Sequence, residues 1–244
     1  MKKGEVLQIS SSRTAVLIAT LNEEEGIGPT IKEIKRFLKD AYILVVDGRS
    51  TDKTVEIAKD LGADVIFQDG KGKGDAIRKG IKHLAPDFRY FVLIDADFTY
   101  PAEYIPKMIR ALENDSSIGM VLGNRFNEEF SFRDSSNSAF YTGNRLLAFA
   151  QHLVNGIRLA DPLSGLRVAR WDIMKCWNPK SDGFDIEAEM NYLVERSKCR
   201  MIEIPIEYRP RLGEKKLKFK HGFSILKRML SESLVEHAHS AFYS

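Results

Sequence analysis

The sequence predicts an α/β fold with a mostly parallel central sheet flanked by helices. Short apolar runs of strand length alternate with segments of helical period through the first half of the 244 residues, which is the pattern of βαβ units with right-handed crossovers. Polar and acidic residues cluster just beyond those runs, at the carboxyl ends where open sheets of this kind bind ligands. No internal repeat, low-complexity tract or linker interrupts the chain, so residues 1–244 read as one domain.

Taken in order, Ala15–Ala19 is the first strand, and Ile31, Ile34, Phe37 and Leu38 then recur at helical spacing. Tyr42–Val46 is the second strand. Thr51–Leu61 is a helix with Val55, Ile57, Ala58 and Leu61 apolar, and Ser50 or Thr51 is placed to cap it. Ala63–Phe67 is a strand, Gly74–Leu84 a helix, Tyr90–Ile94 a strand, Glu103–Leu112 a helix after Pro101, and Ile118–Leu122 a strand. Beyond Gly123 the pattern loosens. Asn127–Asn137 reads as a polar loop, Ala139–Val154 as a helix, Leu166–Ala169 as a strand, Phe184–Glu195 as a helix and Met201–Ile206 as a strand. His221–His237 is a final helix whose Phe223, Leu226, Leu230 and Leu234 form an apolar stripe.

Composition narrows the function. Hydrophobic residues at 43% and charged residues at 29% suit a soluble globular protein. Cys176 and Cys199 make no disulfide framework and lack metal-ligand spacing. Met1–Ser12 is polar, with no secretory apolar core, and no run approaches the ~18 apolar residues of a membrane span, so a cytoplasmic protein is expected. The net charge of +3 is unevenly spread. Between Arg209 and Arg228 eight basic residues face Glu214 alone, giving +7 there and 3 − 7 = −4 elsewhere. An anionic partner at the C-terminal end follows. Nucleic acid is excluded, because that segment carries no interleaved aromatic or motif pattern.

Chemistry concentrates at strand exits. Asp95-Ala96-Asp97 closes the apolar run Tyr90–Ile94. Two unit charges ~4 Å apart at an effective dielectric near 20 repel by about 4 kcal/mol, so such a pair needs a cation or a raised pKa. Hard divalent ions, Mg²⁺ or Mn²⁺, suit these oxygens alongside a substrate phosphate. Thr20-Leu21-Asn22-Glu23 follows the first strand, and Asp47 ends the second, placed to accept hydrogen bonds from a base or ribose. Lys71-Gly72-Lys73-Gly74-Asp75 opens a helix, where glycines let backbone amides approach phosphate.

Together these segments resemble the inverting nucleotide-sugar glycosyltransferases of family 2 with the GT-A fold, over roughly the whole chain. The likeness is strongest to the dolichyl- and polyprenyl-phosphate hexose synthases. It implies that Thr20, Asn22, Glu23, Asp47, Lys73, Asp75, Asp95 and Ala96 bind the nucleotide sugar, and that Asp95 and Asp97 hold Mg²⁺ or Mn²⁺. Thr99 stands where mannose synthases commonly carry glutamine, so UDP- as well as GDP-linked hexoses are implied.

In the second half, Gly123-Asn124-Arg125, Gly143-Asn144-Arg145 and Asp161-Pro162-Leu163-Ser164-Gly165-Leu166-Arg167 match acceptor segments of that family. They imply Arg125, Arg145 and Ser164 as acceptor-phosphate ligands. Gly183-Phe184-Asp185-Ile186-Glu187 resembles the start of the helix flanking the acceptor side. Residues 207–244 would supply an acceptor loop and an amphipathic helix. In that loop, Tyr208-Arg209-Pro210-Arg211, either Arg209 or Arg211 binds phosphate, and Lys215 replaces the usual serine. Asp97, Arg125, Arg145 and Arg211 would carry catalysis. The implied reaction moves a hexose to dolichyl or polyprenyl phosphate, with residues 218–238 touching the cytosolic face of the membrane. The alternatives are a soluble phosphorylated acceptor such as phosphoglycerate, or a sugar-nucleotide-binding protein without catalysis.

Overall fold

The computed structural model describes residues 13–126, 135–214, 216 and 220–242, with side chains described except at 135–140, 220 and 233–242. Seven strands form one sheet in the order β3-β2-β1-β4-β6-β5-β7. Their ranges are β1 Thr14–Thr20, β2 Tyr42–Asp47, β3 Asp64–Phe67, β4 Tyr90–Leu93, β5 Ile118–Asn124, β6 Arg167–Arg170 and β7 Arg200–Pro205. The helices are α1 Glu24–Phe37, α2 Thr54–Asp60, α3 Lys73–His83, α4 Ile105–Asn114, α5 Ser135–Asn155, α6 Trp171–Met174, α7 Ile186–Arg196 and α8 Lys220–Phe242.

Strands β1, β2, β4 and β5 are largely apolar because both faces are covered. Val16, Ile18, Val45 and Val92 point to one side with α1 and α4, around Ile27, Ile31, Ile34, Met108 and Leu112. Their neighbours Leu17, Leu44, Val46, Phe91 and Leu93 point to the other, with Ile77, Trp171, Ile186 and Met190. A period-2 alternation of side chains therefore feeds two cores rather than a core and a solvent face.

Strands β1 to β4 run parallel, and β7 runs parallel to β5. Strand β6 is antiparallel to both of its neighbours, β4 and β5. Inserting one reversed strand leaves β5 pointing the same way as β4. The carboxyl ends of β1, β2, β4, β5 and β7 and the amino end of β6 thus share one sheet edge.

Local differences from the sequence reading have local causes. Neither Ser50 nor Thr51 caps α2: Ser50 is drawn to Asp47 and Thr51 to Asn22, while the Asp52 carboxylate accepts from the Thr54 amide at 3.0 Å. The α5 helix already includes Ser135–Asn137, expected as loop end, and 127–134 lie outside the described residues. The expected run of α8 is exceeded at both ends. Cys176 and Cys199 are free, and among the described residues no helix is long and apolar enough to cross a membrane.

Helix α1 approaches the β4 exit so closely that a Cβ at Gly26 would stand 2.5 Å from the Ala96 carbonyl oxygen and 2.7 Å from the Asp97 Cα. Backbone cannot yield as a side-chain tip can. Gly26→Ala should therefore cost about 1–3 kcal/mol, read as a lower melting temperature. An unchanged melting temperature would refute the close packing.

Candidate active site

Turns at three adjacent strand exits hold non-glycine residues in the left-handed region: Asn22 (φ 50°), Arg49 (φ 66°) and Phe98 (φ 64°). Such strain persists where surrounding contacts enforce it. Asn22 Oδ1 accepts from the Thr51 amide at 2.8 Å, linking the β1 and β2 exits. Phe98 lies under the Arg209 guanidinium, 4.6 Å from the ring centre. These turns bring Glu23, Asp95 and Asp97 to the crevice between β1 and β4, where the strand order diverges.

Lys73, the first residue of α3, donates to Asp95 at 2.6 Å and to Glu187 on α7 at 2.5 Å. Burial alone would raise the Asp95 carboxyl, but the Lys73 ammonium outweighs it and holds Asp95 below the usual carboxylate range. For Lys73, burial works against the charge, and the two carboxylates reverse that, raising its pKa. Asp97 goes the other way: burial and the adjacent Asp95 charge raise it, against Thr99 Oγ1, which donates to it at 2.6 Å, and Arg211. Burial likewise raises Glu23, partly offset by Lys216 and Arg211.

The segment after β7 lies across this crevice as a strap. Its backbone is pinned by Arg209 N to Thr99 O at 3.0 Å and Leu212 N to Asp97 O at 3.1 Å. Tyr208 meets Tyr100 edge to face, with 5.3 Å between ring centres. Arg211 reaches Asp97 Oδ2 at 2.5 Å and also pairs with Glu23. Lys216 donates to Glu23 and to the Asn22 carbonyl, each at 2.8 Å.

An acidic pair at this exit, with a lysine from α3 and an arginine strap over it, can be set beside known proteins. The family model described as Glycosyl transferase family 2 matches residues 15–176. The chain belongs to glycosyl transferase family 2. Among relatives, a dolichyl-phosphate hexose transferase of Haloferax volcanii is 33% identical over 226 residues, covering 91% of this chain and 94% of that protein. The low-salt glycan biosynthesis hexosyltransferase Agl6 of the same organism is 34% identical over 88% of this chain, which spans about half (52%) of Agl6. A dolichol-phosphate mannosyltransferase of Pyrococcus furiosus is 30% identical over 89% of this chain and 62% of its own. In fold, the chain matches glucosyl-3-phosphoglycerate synthase of Mycobacterium tuberculosis, solved with Mn²⁺ and UDP-glucose, at a TM-score of 0.73 and 19% identity, covering 96% of this chain and 86% of that one.

Within this family 2 chain, the expected site residues divide. Arg211 joins Glu23 to Asp97 in one ion-pair cluster, and Lys73 joins Asp95 to Glu187 in a second one beside it, the two making a charged network. Asn22 stands exposed beside them. Asp47 is fully buried and does not present its carboxylate to solvent: it accepts from Thr20 Oγ1 at 2.9 Å and from the Ser50 amide and hydroxyl at 2.7 and 2.6 Å. Thr20 is turned inward with it. Ala96 is also buried, and its carbonyl accepts from Thr30 on α1.

The glycine loop is occupied by protein. Gly74 N and Asp75 N both donate to the Asp182 carbonyl, and a Cβ at Gly74 would stand 2.1 Å from Ser181 O. Those glycines admit the 181–183 backbone, so the two amides expected to face phosphate are already taken. Asp75 accepts from Gly70 N and Arg78, each at 2.7 Å.

On the acceptor side, Arg125 is held bidentately by Asp161 through Nε and Nη2, each at 2.7 Å, with Tyr208 stacked nearby. Ser164 is fully buried, its hydroxyl at 3.4 Å from the Leu166 amide, and so is turned away from the crevice. Arg145 is exposed on α5 and is not brought into the network. Arg209 is committed to Glu33 on α1 by two bonds, 2.9 and 2.7 Å long, which separates its role from that of Arg211.

Sequence reasoning gave no role to Glu187, Asp161 or Glu33, the partners of Lys73, Arg125 and Arg209, or to Lys216, which pairs with Glu23. Arg167 was quoted only within its motif. It is fully buried and donates to Pro162 O, Ser164 O and Asn191 Oδ1 at 2.5, 2.8 and 2.5 Å, holding the turn against Asp95. A Cβ at Gly165 in that turn would meet Asp95 Oδ2 at 2.2 Å.

The donor set fits a hard divalent cation. Asp95 and Asp97 stand close enough for the charge of one to raise the other, and Glu23 Oε2, near Asp97, is buried without a hydrogen-bond partner. Among the described residues no group of three or more His, Cys, Asp or Glu is disposed to hold a metal ion, so substrate phosphate and water would complete the shell.

Removing the lysine tests this electrostatic balance. Asp95 is lowered from 3.8 and Lys73 raised from 10.5, so their mutual stabilisation is complete between those values. It fades as pH falls through the folded Asp95 value or rises through the folded Lys73 value. Lys73→Met should destabilise by about 3 kcal/mol at neutral pH, with the deficit shrinking in acid below 3.8. Urea unfolding across pH checks this; a deficit independent of pH would contradict the ion-pair account.

Proposed function

We propose that this family 2 chain moves a hexose from a nucleotide-diphosphate sugar to the phosphate of a dolichyl or polyprenyl lipid, inverting the anomeric centre. The observation that carries the reading is the Asp95–Asp97 pair facing the strap cation Arg211 across one crevice: carboxylates suited to a metal beside a guanidinium suited to phosphate. The dolichyl-phosphate hexose transferase and dolichol-phosphate mannosyltransferase relatives support this acceptor class. The fold neighbour solved with Mn²⁺ and UDP-glucose supports a divalent ion and a nucleotide sugar.

A prenyl phosphate is anionic near neutral pH and attacks without a protein base, so the chain's work is positioning and charge stabilisation. Asp97, with Asp95 beside it, would hold Mg²⁺ or Mn²⁺, which when bound offsets charge on the departing diphosphate. Lys73 keeps Asp95 ionised and fixes it against α7 through Glu187. Thr99 orients Asp97 by donating to Oδ1. Arg211 is the phosphate ligand of the strap, because Arg209 anchors the strap to Glu33. Arg125, backed by Asp161, and the exposed Arg145 are the remaining acceptor cations. Asp47 acts one step removed, fixing the Thr20 and Ser50 turns that carry Asn22.

A lipid acceptor calls for a surface that meets the bilayer. Helices α5 and α8 pack together, with Ile225 and Met229 buried toward Ala188 and Leu147. Their outer sides expose Leu146, Phe149 and Leu153 on α5 and Phe223 and Leu230 on α8, with Lys227 between the last two. Leu226 is half-buried, and Leu234 lies outside the residues with described side chains. These helices make peripheral contact at the cytosolic face of the membrane.

Two measurements test the reading. Asp97→Ala should reduce metal-dependent transfer of labelled hexose from UDP- or GDP-sugars to dolichyl phosphate by about a hundredfold or more with the fold intact by circular dichroism. Near-normal transfer would remove the metal assignment. The wild-type chain should float with anionic liposomes, and Phe223→Glu with Leu230→Glu should abolish flotation without lowering transfer to a short-chain, water-soluble prenyl phosphate. Equal flotation of both proteins would place the membrane contact elsewhere.

A further inference from the structure

The strap covers the very carboxylates that the metal would need. Arg211 occupies Asp97 Oδ2 and shares Glu23 with Lys216. A cation arriving alone at Asp97 must displace a guanidinium that then has only the shared Glu23 to hold. A diphosphate changes this, since its oxygens accept both arms of the guanidinium. Carrier and cation together thus exchange one set of ion pairs for another, and neither alone completes the exchange.

We propose that Arg211 is a latch: paired with Asp97 it keeps a free divalent cation out, and it releases the carboxylate only when a metal–nucleotide diphosphate arrives. This rests on the function proposed above and deepens it by assigning an order of binding.

Two buried atoms in the latch have no hydrogen-bond partner, Arg211 Nε and Glu23 Oε2, so the latched state leaves both a donor and an acceptor unused at the same spot. Buried polar atoms are normally paired, and a phosphate oxygen and a cation are the species that would satisfy this donor and this acceptor. The rest of the strap is anchored independently. Arg209 stays on Glu33, Tyr208 on Tyr100, and Arg209 N on Thr99 O. Leu212 N on Asp97 O pins the backbone on the other side of Arg211, so release needs only the Arg211 side chain to swing. Just beyond, Gly213 adopts φ 77°, a left-handed position that lets the chain turn back over Glu23, and a Cβ would stand 3.7 Å from Glu23 Oε2.

Because coupling between two ligands is reciprocal, calorimetry can read the latch without activity. Mn²⁺ is titrated into the full chain, with and without saturating UDP, in wild type, Arg211→Gln and Lys216→Gln. Wild type should bind Mn²⁺ at least about tenfold more tightly with UDP than without. Arg211→Gln should bind Mn²⁺ alone at least about tenfold more tightly than wild type and show a correspondingly smaller UDP dependence, the remainder being the phosphate's own ligation of the ion. Lys216→Gln removes the same charge from Glu23 but leaves Arg211 on Asp97, and should stay within about threefold of wild type.

No gain in Arg211→Gln, or an equal gain in Lys216→Gln, would overturn the latch while leaving the proposed function standing. Failure of wild type to bind Mn²⁺ even with UDP would overturn the metal reading itself, and the latch with it. Should Arg211→Gln melt early, Arg211→Lys keeps the charge but not the two-armed pairing and should show the same direction of change; no gain there would count against the latch.

Discussion

Three buried carboxylates, Glu23, Asp97 and Glu187, and the part-buried Asp95 are gathered at one end of the sheet. An unpaired charge taken out of water costs several kcal/mol, so each acid needs a cation from another element. Lys73 comes from α3 and serves Asp95 and Glu187, while Arg211 and Lys216 come from the strap after β7 and serve Asp97 and Glu23. The crevice is thereby tied to α3, α7 and the strap by electrostatics, over and above the apolar packing of the two cores. Arg125 with Asp161 and Arg209 with Glu33 repeat the arrangement at the margins.

Topology makes this convergence possible. With β6 reversed between β4 and β5, the turn that leads into β6 lies at the same sheet edge as the exits of β1, β2, β4 and β5. Gly165 can then lie against Asp95, and Arg167 can hold the turn from below. A sheet of wholly parallel strands would have sent that turn to the opposite end, away from the carboxylates it packs on.

The elements of the first half were legible in the sequence, because strands covered on both faces leave unbroken apolar runs and the helices between them keep a clean period. The reversed direction of β6 was not: its four residues Arg167–Arg170 carry no sign of which neighbour they pair with. In the site, motif spacing found the acids and the arginines but not their partners. Glu187 lies 114 positions from Lys73 and Glu33 176 positions from Arg209, distances across which no local pattern extends. The same limit explains Asp47 and the Gly72-Lys73-Gly74 loop. Their residue types suit ligand binding, yet the chain itself fills the hydrogen bonds, through Thr20 and Ser50 in one case and Asp182 in the other. Arg209 and Arg211 were indistinguishable as letters and are separated by which acid each meets.

The central claim is that Asp97 changes partners, from the strap arginine to a metal that bridges a nucleotide diphosphate. Crystals grown with Mn²⁺ and a UDP- or GDP-sugar, measured at the manganese absorption edge, address it directly. The account predicts an anomalous peak in direct contact with an Asp97 oxygen, at about 2.1–2.2 Å by analogy with hard octahedral cations, and Arg211 turned to the diphosphate. A nucleotide bound with no peak at Asp97, or with Arg211 still on that carboxylate, would contradict it.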